Sequence, residues 1–94
     1  MNIQEYSFEE LVDPTGIIQG KRFEFLLYIL LEENDELYVE EGTGLRVIFA
    51  VDGEKEWIAS NHFFDRSTDK PLDFELEEEE KEMVLQFCKS HYKQ

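Results

Sequence analysis

Hydrophobic and polar residues alternate along much of this chain, and the alternation predicts strands. Over residues 21–32, Phe23, Phe25, Leu27, Ile29 and Leu31 fall on one face of an extended segment, with Arg22, Glu24 and Glu32 on the other. Gly42 and Gly44 interrupt the pattern. Leu45-Arg46-Val47-Ile48-Phe49-Ala50-Val51 then forms a second β-branched and aromatic run. Asp52-Gly53 signals a tight hairpin, since a type I′ turn needs φ > 0 at both central residues. The return strand is expected over about Glu56 to Asp65, carrying Trp57, Ile58, Phe63 and Phe64.

The period changes towards the C-terminus. Met83, Val84, Phe87, Cys88 and His91 recur at helical spacing and predict a helix from about Glu77 to Tyr92. Leu72, Phe74 and Leu76 alternate ahead of it as a short extended lead-in. The first twenty residues read two ways. Ser7 and Glu10 fit a capping box, with Tyr6 and Leu11 as its hydrophobic staple. Asp13-Pro14 would stop that helix after barely a turn, and so short a nucleus is unfavourable. A first strand running into the Pro14–Gly16 turn is preferred, because the next strand needs an antiparallel neighbour. The expected fold is α+β, an antiparallel β-meander of three to four strands packed by one C-terminal helix, in a single domain over residues 1–94.

The strands are apolar on both faces. Leu26, Tyr28 and Leu30 lie opposite Phe25, Leu27, Ile29 and Leu31, and Ile48 and Ala50 lie opposite Val47, Phe49 and Val51. One helix covers one face. The other must be covered by the N-terminal segment, by curling into a partial barrel, or by another chain.

Charge changes this picture. The chain has 23 Asp and Glu against 9 Lys and Arg, a net charge of −14. A polyanion is repelled by nucleic acid phosphates and anionic membranes, and the basic residues are scattered singly, so neither partner is expected. Aromatics make up 14% of the chain, which separates it from disordered acidic sequences. Much of the acidity falls in two runs. Glu77 to Glu80 and Glu82 face the positive end of the predicted helix dipole, worth about 0.3–1 kcal/mol each. Glu32, Glu33, Asp35, Glu36, Glu40 and Glu41 have no such reward, which leaves a solvated loop or a contact for a basic protein. Neither acidic segment matches a calcium-binding EF-hand loop: Leu37 and Val39 occupy ligand positions counted from Asp35, and Trp57 replaces the glycine counted from Asp52.

No catalytic constellation stands out. His62 lies near Ser60 and Asp65, but on a strand Ser60 and His62 share one face while Asp65 points to the other. Cys88 sits on the apolar helix stripe, as a small core residue would, and one Cys–His pair with His91 is too few ligands for zinc. Gly42-Thr43-Gly44 precedes a strand, whereas a dinucleotide fingerprint follows one. No catalytic residue, metal or cofactor is expected. The single cysteine allows no intramolecular disulfide, the N-terminus shows no signal-peptide pattern, and the longest apolar run is seven residues. A cytoplasmic location is expected.

Asp13-Pro14-Thr15-Gly16-Ile17-Ile18, Gly20-Lys21-Arg22-Phe23-Glu24-Phe25 and Leu72-Asp73-Phe74-Glu75-Leu76-Glu77-Glu78-Glu79-Glu80 resemble segments of a family of short acidic bacterial proteins of unknown function. The resemblance implies a stand-alone cytosolic protein and brings no catalytic residues with it. The expected role is a non-enzymatic protein-interaction module that engages a protein partner or itself. Its surfaces are the acidic loop Glu32, Glu33, Asp35, Glu36, Glu40 and Glu41 and the second sheet face at Leu26, Tyr28 and Leu30. The alternative is a small-ligand-binding or minor enzymatic domain with a pocket at His62, Trp57 and Tyr28.

Overall fold

The alternating segments all join one sheet. The computed structural model describes residues 2–17 and 19–93; Met1, Ile18 and Gln94 lie outside the described residues. Strands β1 (Asn2–Leu11), β2 (Lys21–Leu30), β3 (Thr43–Asp52), β4 (Lys55–Asp65) and β5 (Pro71–Leu72) precede helix α1 (Glu78–His91). The strands are antiparallel and lie side by side in chain order. The α+β meander with one C-terminal helix is therefore the architecture.

The sheet has five strands rather than three to four. The extra strand is two residues long and pairs Leu72 with Phe63 and Pro71 with Phe64. It forms because a tight turn folds the chain back beside β4: the Asp65 N–H donates to the Lys70 carbonyl at 2.9 Å, and Asp69 takes φ 60°. Proline has no N–H to extend the ladder.

The N-terminal segment is a strand. Ser7 pairs with Leu26 and Glu10 with Phe23, so the capping box does not form. Long-range pairing outweighs the local signal. Tyr6 and Phe8 point to the core side, where Phe8 stacks on Phe25 at 4.9 Å and Tyr6 meets Phe87 of the helix edge-on at 5.1 Å. Strand β2 ends at Leu30, two residues before the expected limit of 32, because Asp35 organises a run of turns. Its N–H donates to the Glu32 carbonyl at 2.9 Å and its carboxylate accepts from the Leu37 N–H at 2.9 Å.

The β3–β4 hairpin has a different turn from the expected one. Asp52 pairs with Lys55, so the central residues are Gly53 and Glu54, and of the two only Gly53 has positive φ (63°). That is the φ signature of a type II′ turn, which needs glycine at the first central position alone. A bulge between Ile48 and Phe49 sets Ser60 opposite Ile48 but Ile58 opposite Phe49. Ala59 is the extra residue, and it shifts the alternation of β4 so that Trp57 and Ser60 share a face.

Helix α1 lies on the face built by Phe23, Phe25, Leu27, Leu45, Val47 and Phe49. Val84 and Cys88 are fully buried there, and Tyr92 packs on Phe23 (5.4 Å) and Phe49 (5.2 Å). Glu78, Glu79 and Glu80 occupy the first turn, and the Glu80 carboxylate accepts from the Glu77 N–H at 3.1 Å. Leu76 is buried and anchors the lead-in. Among the described residues, no helix is long and apolar enough to cross a membrane.

On the face away from the helix, the far end of the Phe64 ring occupies the space beside Gly44. A Cβ at residue 44 would overlap that ring, so Gly44→Ala is expected to destabilise the fold by about 1–3 kcal/mol, as overpacking does. Chemical denaturation checks this. Adding Phe64→Leu to Gly44→Ala should recover part of the loss, whereas Phe64→Leu in the native chain should only cost stability.

Candidate functional site

The helix covers one face of the sheet, and among the described residues no secondary-structure element covers the other. That open face is built by Glu5, Ser7, Glu9 and Leu11 of β1, by Arg22, Glu24, Leu26, Tyr28 and Leu30 of β2, by Gly44, Arg46, Ile48 and Ala50 of β3, and by Trp57, Ser60, His62 and Phe64 of β4. The N-terminal segment does not fold over it, because β1 extends the sheet at its edge. Leu26, Tyr28 and Ile48 are half-buried, Leu11 and Trp57 are exposed, and Leu30 is 53% exposed.

All three arginines of the chain lie on this face. Two of them reach across β3. Arg22 leans over Ala50 with its guanidinium 5.3 Å from the Trp57 ring centre. Arg66, just past β4, runs alongside Gly42 to sit 4.1 Å over the Tyr28 ring and 3.6 Å from the Glu5 carboxylate. Arg46 grips the Glu24 carboxylate between them, with Nη2–Oε2 at 2.6 Å and Nε–Oε2 at 2.8 Å. The arginine stems cover apolar surface while the charged heads stay wet. Read as single residues along the chain, these arginines look scattered. The strand register is what brings them together with Tyr28, Ile48 and Phe64.

The open face is close to electrically balanced. On its strands Arg22, Arg46 and Arg66 offset Glu5, Glu9 and Glu24, so the net charge of −14 resides on the rest of the molecule. The balance is imperfect locally. Glu9 stands directly opposite Glu24, a like-charge cross-strand pair, and Glu9 makes no ion pair among the described residues.

Tyr28, Trp57 and His62 share this face but stand apart on it. His62 is opposite Arg46, Trp57 is opposite Ala50, and Tyr28 meets β4 through Phe64 at 6.3 Å. A surface cleft of about 660 Å³ at the β1–β2 turn is lined by Leu11, Val12, Lys21, Arg22, Arg46 and Ile48. Trp57 lines a smaller one of about 260 Å³ at the β4 edge, with Lys81 and Leu85 of the helix.

The two acidic runs, distant in sequence, meet in space. Asp35 and Glu36 of the β2–β3 loop share a cleft with Glu75, Glu77 and Glu80 at the start of α1. Glu32, Glu33, Glu40 and Glu41 border a neighbouring cleft that reaches Arg66. The loop is held by Leu37, whose carbonyl accepts from the Thr43 hydroxyl at 2.6 Å, and by the Gly42 carbonyl, which accepts from the Arg66 N–H at 3.0 Å. Among the described residues, no group of three or more His, Cys, Asp or Glu is placed to hold a metal ion. Cys88 is a core residue, and burial pushes its thiol up to about 12. The Ser67 hydroxyl and N–H donate to the Asp65 carboxylate at 2.7 and 2.9 Å and hold its pKa below the usual carboxylate range.

A family model described as a family of unknown function (DUF6509) matches residues 1–94. No curated protein and no solved structure matches the chain.

Two outcomes follow from these electrostatics. Glu36→Lys places a cation among four carboxylates and should raise stability by a few tenths of a kcal/mol up to about 1 kcal/mol, with a weaker gain from added salt than the parent shows. Melting curves at low and high salt measure both. Ser67→Ala should move the Asp65 pKa up towards its ordinary value, read from carboxyl NMR shifts. Because the folded-state pKa is the lower one, the contribution of Asp65 to the turn is present above the ordinary carboxylate range. It is lost as pH falls through the folded value.

Proposed function

The chain belongs to that family of unknown function, and we propose that it acts by holding another protein chain against the open face of its sheet, without a catalytic step. The observation that carries this reading is the open face itself. It presents Trp57, Tyr28 and three arginines on a hydrogen-bonded sheet, with no secondary-structure element above them among the described residues. Trp, Tyr and Arg are the residue types that dominate binding energy at protein interfaces. Their rings and guanidinium planes are already stacked, so little rotamer freedom is left to lose on contact. The side chains of Arg46 and Arg66 are 42% and 44% exposed, which leaves donor groups for a partner.

The acidic loop has a supporting role in this reading. Glu32, Glu33, Glu40 and Glu41 border the cleft that reaches Arg66, so they edge the binding face with negative charge. A partner must match the balanced centre without meeting that edge with acids of its own, which is selection by repulsion. A small-ligand role has less support, because the clefts that Trp57 and Arg46 line are two separate ones and neither includes His62 or Tyr28.

The test combines light scattering on the pure protein with affinity capture from cell extract. The parent chain is expected to associate with a protein chain, either its own kind or another, and Ile48→Glu at the centre of the open face should abolish that association. Glu75→Gln, remote from the face, should leave it intact. If the parent chain associates with nothing in either experiment, or if Ile48→Glu associates equally well, the interaction reading is wrong.

A further inference from the structure

We propose that the chain covering the open face is a second copy of this protein, packed face to face about a two-fold axis parallel to the strands between β2 and β3. The proposal rests on the interaction reading above and names its partner. Two copies that each carry −14 repel one another over most of their surfaces. The open face is where that repulsion is least, because its arginines and glutamates offset one another. Apolar contact can therefore win there.

The arrangement of charge on the face selects the axis. Glu9 on β1 has no ion pair among the described residues. Arg22 has backbone carbonyls (Gln19 and Lys21, 3.2 and 3.3 Å) and the Trp57 ring of β4 as its partners, and no carboxylate among the described residues. One unmatched anion thus lies on the β1 side of the face and one unmatched cation leans to the β4 side. A two-fold axis along the strands lays β1 of one copy over β4 of the other. It brings each Glu9 towards the Arg22–Trp57 pair of the partner, twice by symmetry, and sets Leu11 against Trp57. A two-fold axis across the strands instead lays β1 on β1 and sets Glu9 near the partner's Glu5, acid on acid. Of these two isologous arrangements, only the one about the strand direction matches charge.

The area is adequate. Four strands about 4.8 Å apart and about ten residues long give a footprint of about 600 Å² per copy. The pair would bury about 1,200 Å², the lower end of the range for specific interfaces, which suits a dimer that dissociates on dilution. The product is a four-layer assembly, helix–sheet–sheet–helix, with the sheets about 10 Å apart.

The experiment uses the full chain. Light scattering across a dilution series should give twice the chain mass at high concentration, and added salt should strengthen association by screening the net charge. Ile48→Glu should weaken it by about a hundredfold or more, since it buries an unpaired charge in the contact; an unchanged circular dichroism melt confirms that the variant folds. Cross-linking reads the axis directly. Ser7 on β1 and His62 on β4 lie in the same row across the face, through Leu26 and Arg46. A mixture of Ser7→Cys and His62→Cys chains, treated with a bismaleimide of about 10 Å span, should give covalent dimers that neither variant gives alone. Buried Cys88 stays silent. Linkage by Ser7→Cys alone, or a dimer indifferent to Ile48→Glu, overturns the proposal. A parent chain that is monomeric at every concentration overturns it too. In that case the interaction reading stands if the parent, but not Ile48→Glu, still captures a different chain, and falls if it captures none.

Discussion

A single helix on a sheet whose strands are apolar on both faces is the constraint from which the rest of this molecule follows. Helix α1 buries Val84 and Cys88 against Phe25, Val47 and Phe49, and Tyr92 closes the layer on Phe23. Fourteen residues of helix satisfy one face only. The other face is finished by its own arginines, which reach to the Trp57 and Tyr28 rings and to Glu24. Two glycines make room for this, since Phe64 fills the space over Gly44 and Arg66 runs alongside Gly42 on its way to Tyr28. This finish lowers the cost of exposure without removing it, because guanidinium planes cover rings and leave Leu30 and Ile48 in contact with water.

Much of this architecture was legible in the sequence where one period dominates. Strands β2 to β4 and helix α1 follow from alternation and helical spacing, with limits off by one or two residues. Where local and long-range signals compete, the sequence alone is ambiguous. Ser7 and Glu10 look like a helix start because capping chemistry is local, whereas the pairing of Ser7 with Leu26 spans a turn and is invisible to it. The β4 bulge hides the site in the same way. A strict alternation puts Trp57 and His62 on opposite faces, and one extra residue at Ala59 brings them onto the same one. The sequence pattern did show that the strands have two apolar faces; it did not show that the arginines gather on one of them.

Acidity also has a different meaning in three dimensions. Glu78, Glu79 and Glu80 sit in the first turn of α1, and Glu80 binds the Glu77 N–H, so helix-end electrostatics accounts for that run. The loop carboxylates Asp35 and Glu36 then approach the same helix end, where each competes for one dipole and repels the others. Their placement follows from the Thr43–Leu37 and Arg66–Gly42 hydrogen bonds, which tie the loop to the sheet. Negative charge thus gathers at one end of the molecule and is offset by arginines on one face of it. Both follow from the same meander, because the β2–β3 loop and the helix start emerge beside each other at the end of the strands.

The division of labour between the two basic residue types carries the argument furthest. The six lysines lie at strand starts, in a turn, on the helix and just past it; Lys81 pairs with Glu78 and Lys93 lies over the Tyr92 ring. The three arginines occupy the open face. A guanidinium is more weakly hydrated than an ammonium, stacks on aromatic rings and keeps its in-plane donors free while stacked. A surface built to stay in water gains little from that choice, and lysine would serve it as well. A surface that is to be dried by another chain gains a good deal, because the cations are already partly desolvated on Trp57 and Tyr28 before contact. Arginine rather than lysine over Trp57 and Tyr28 is therefore consistent with the interface proposed for this face.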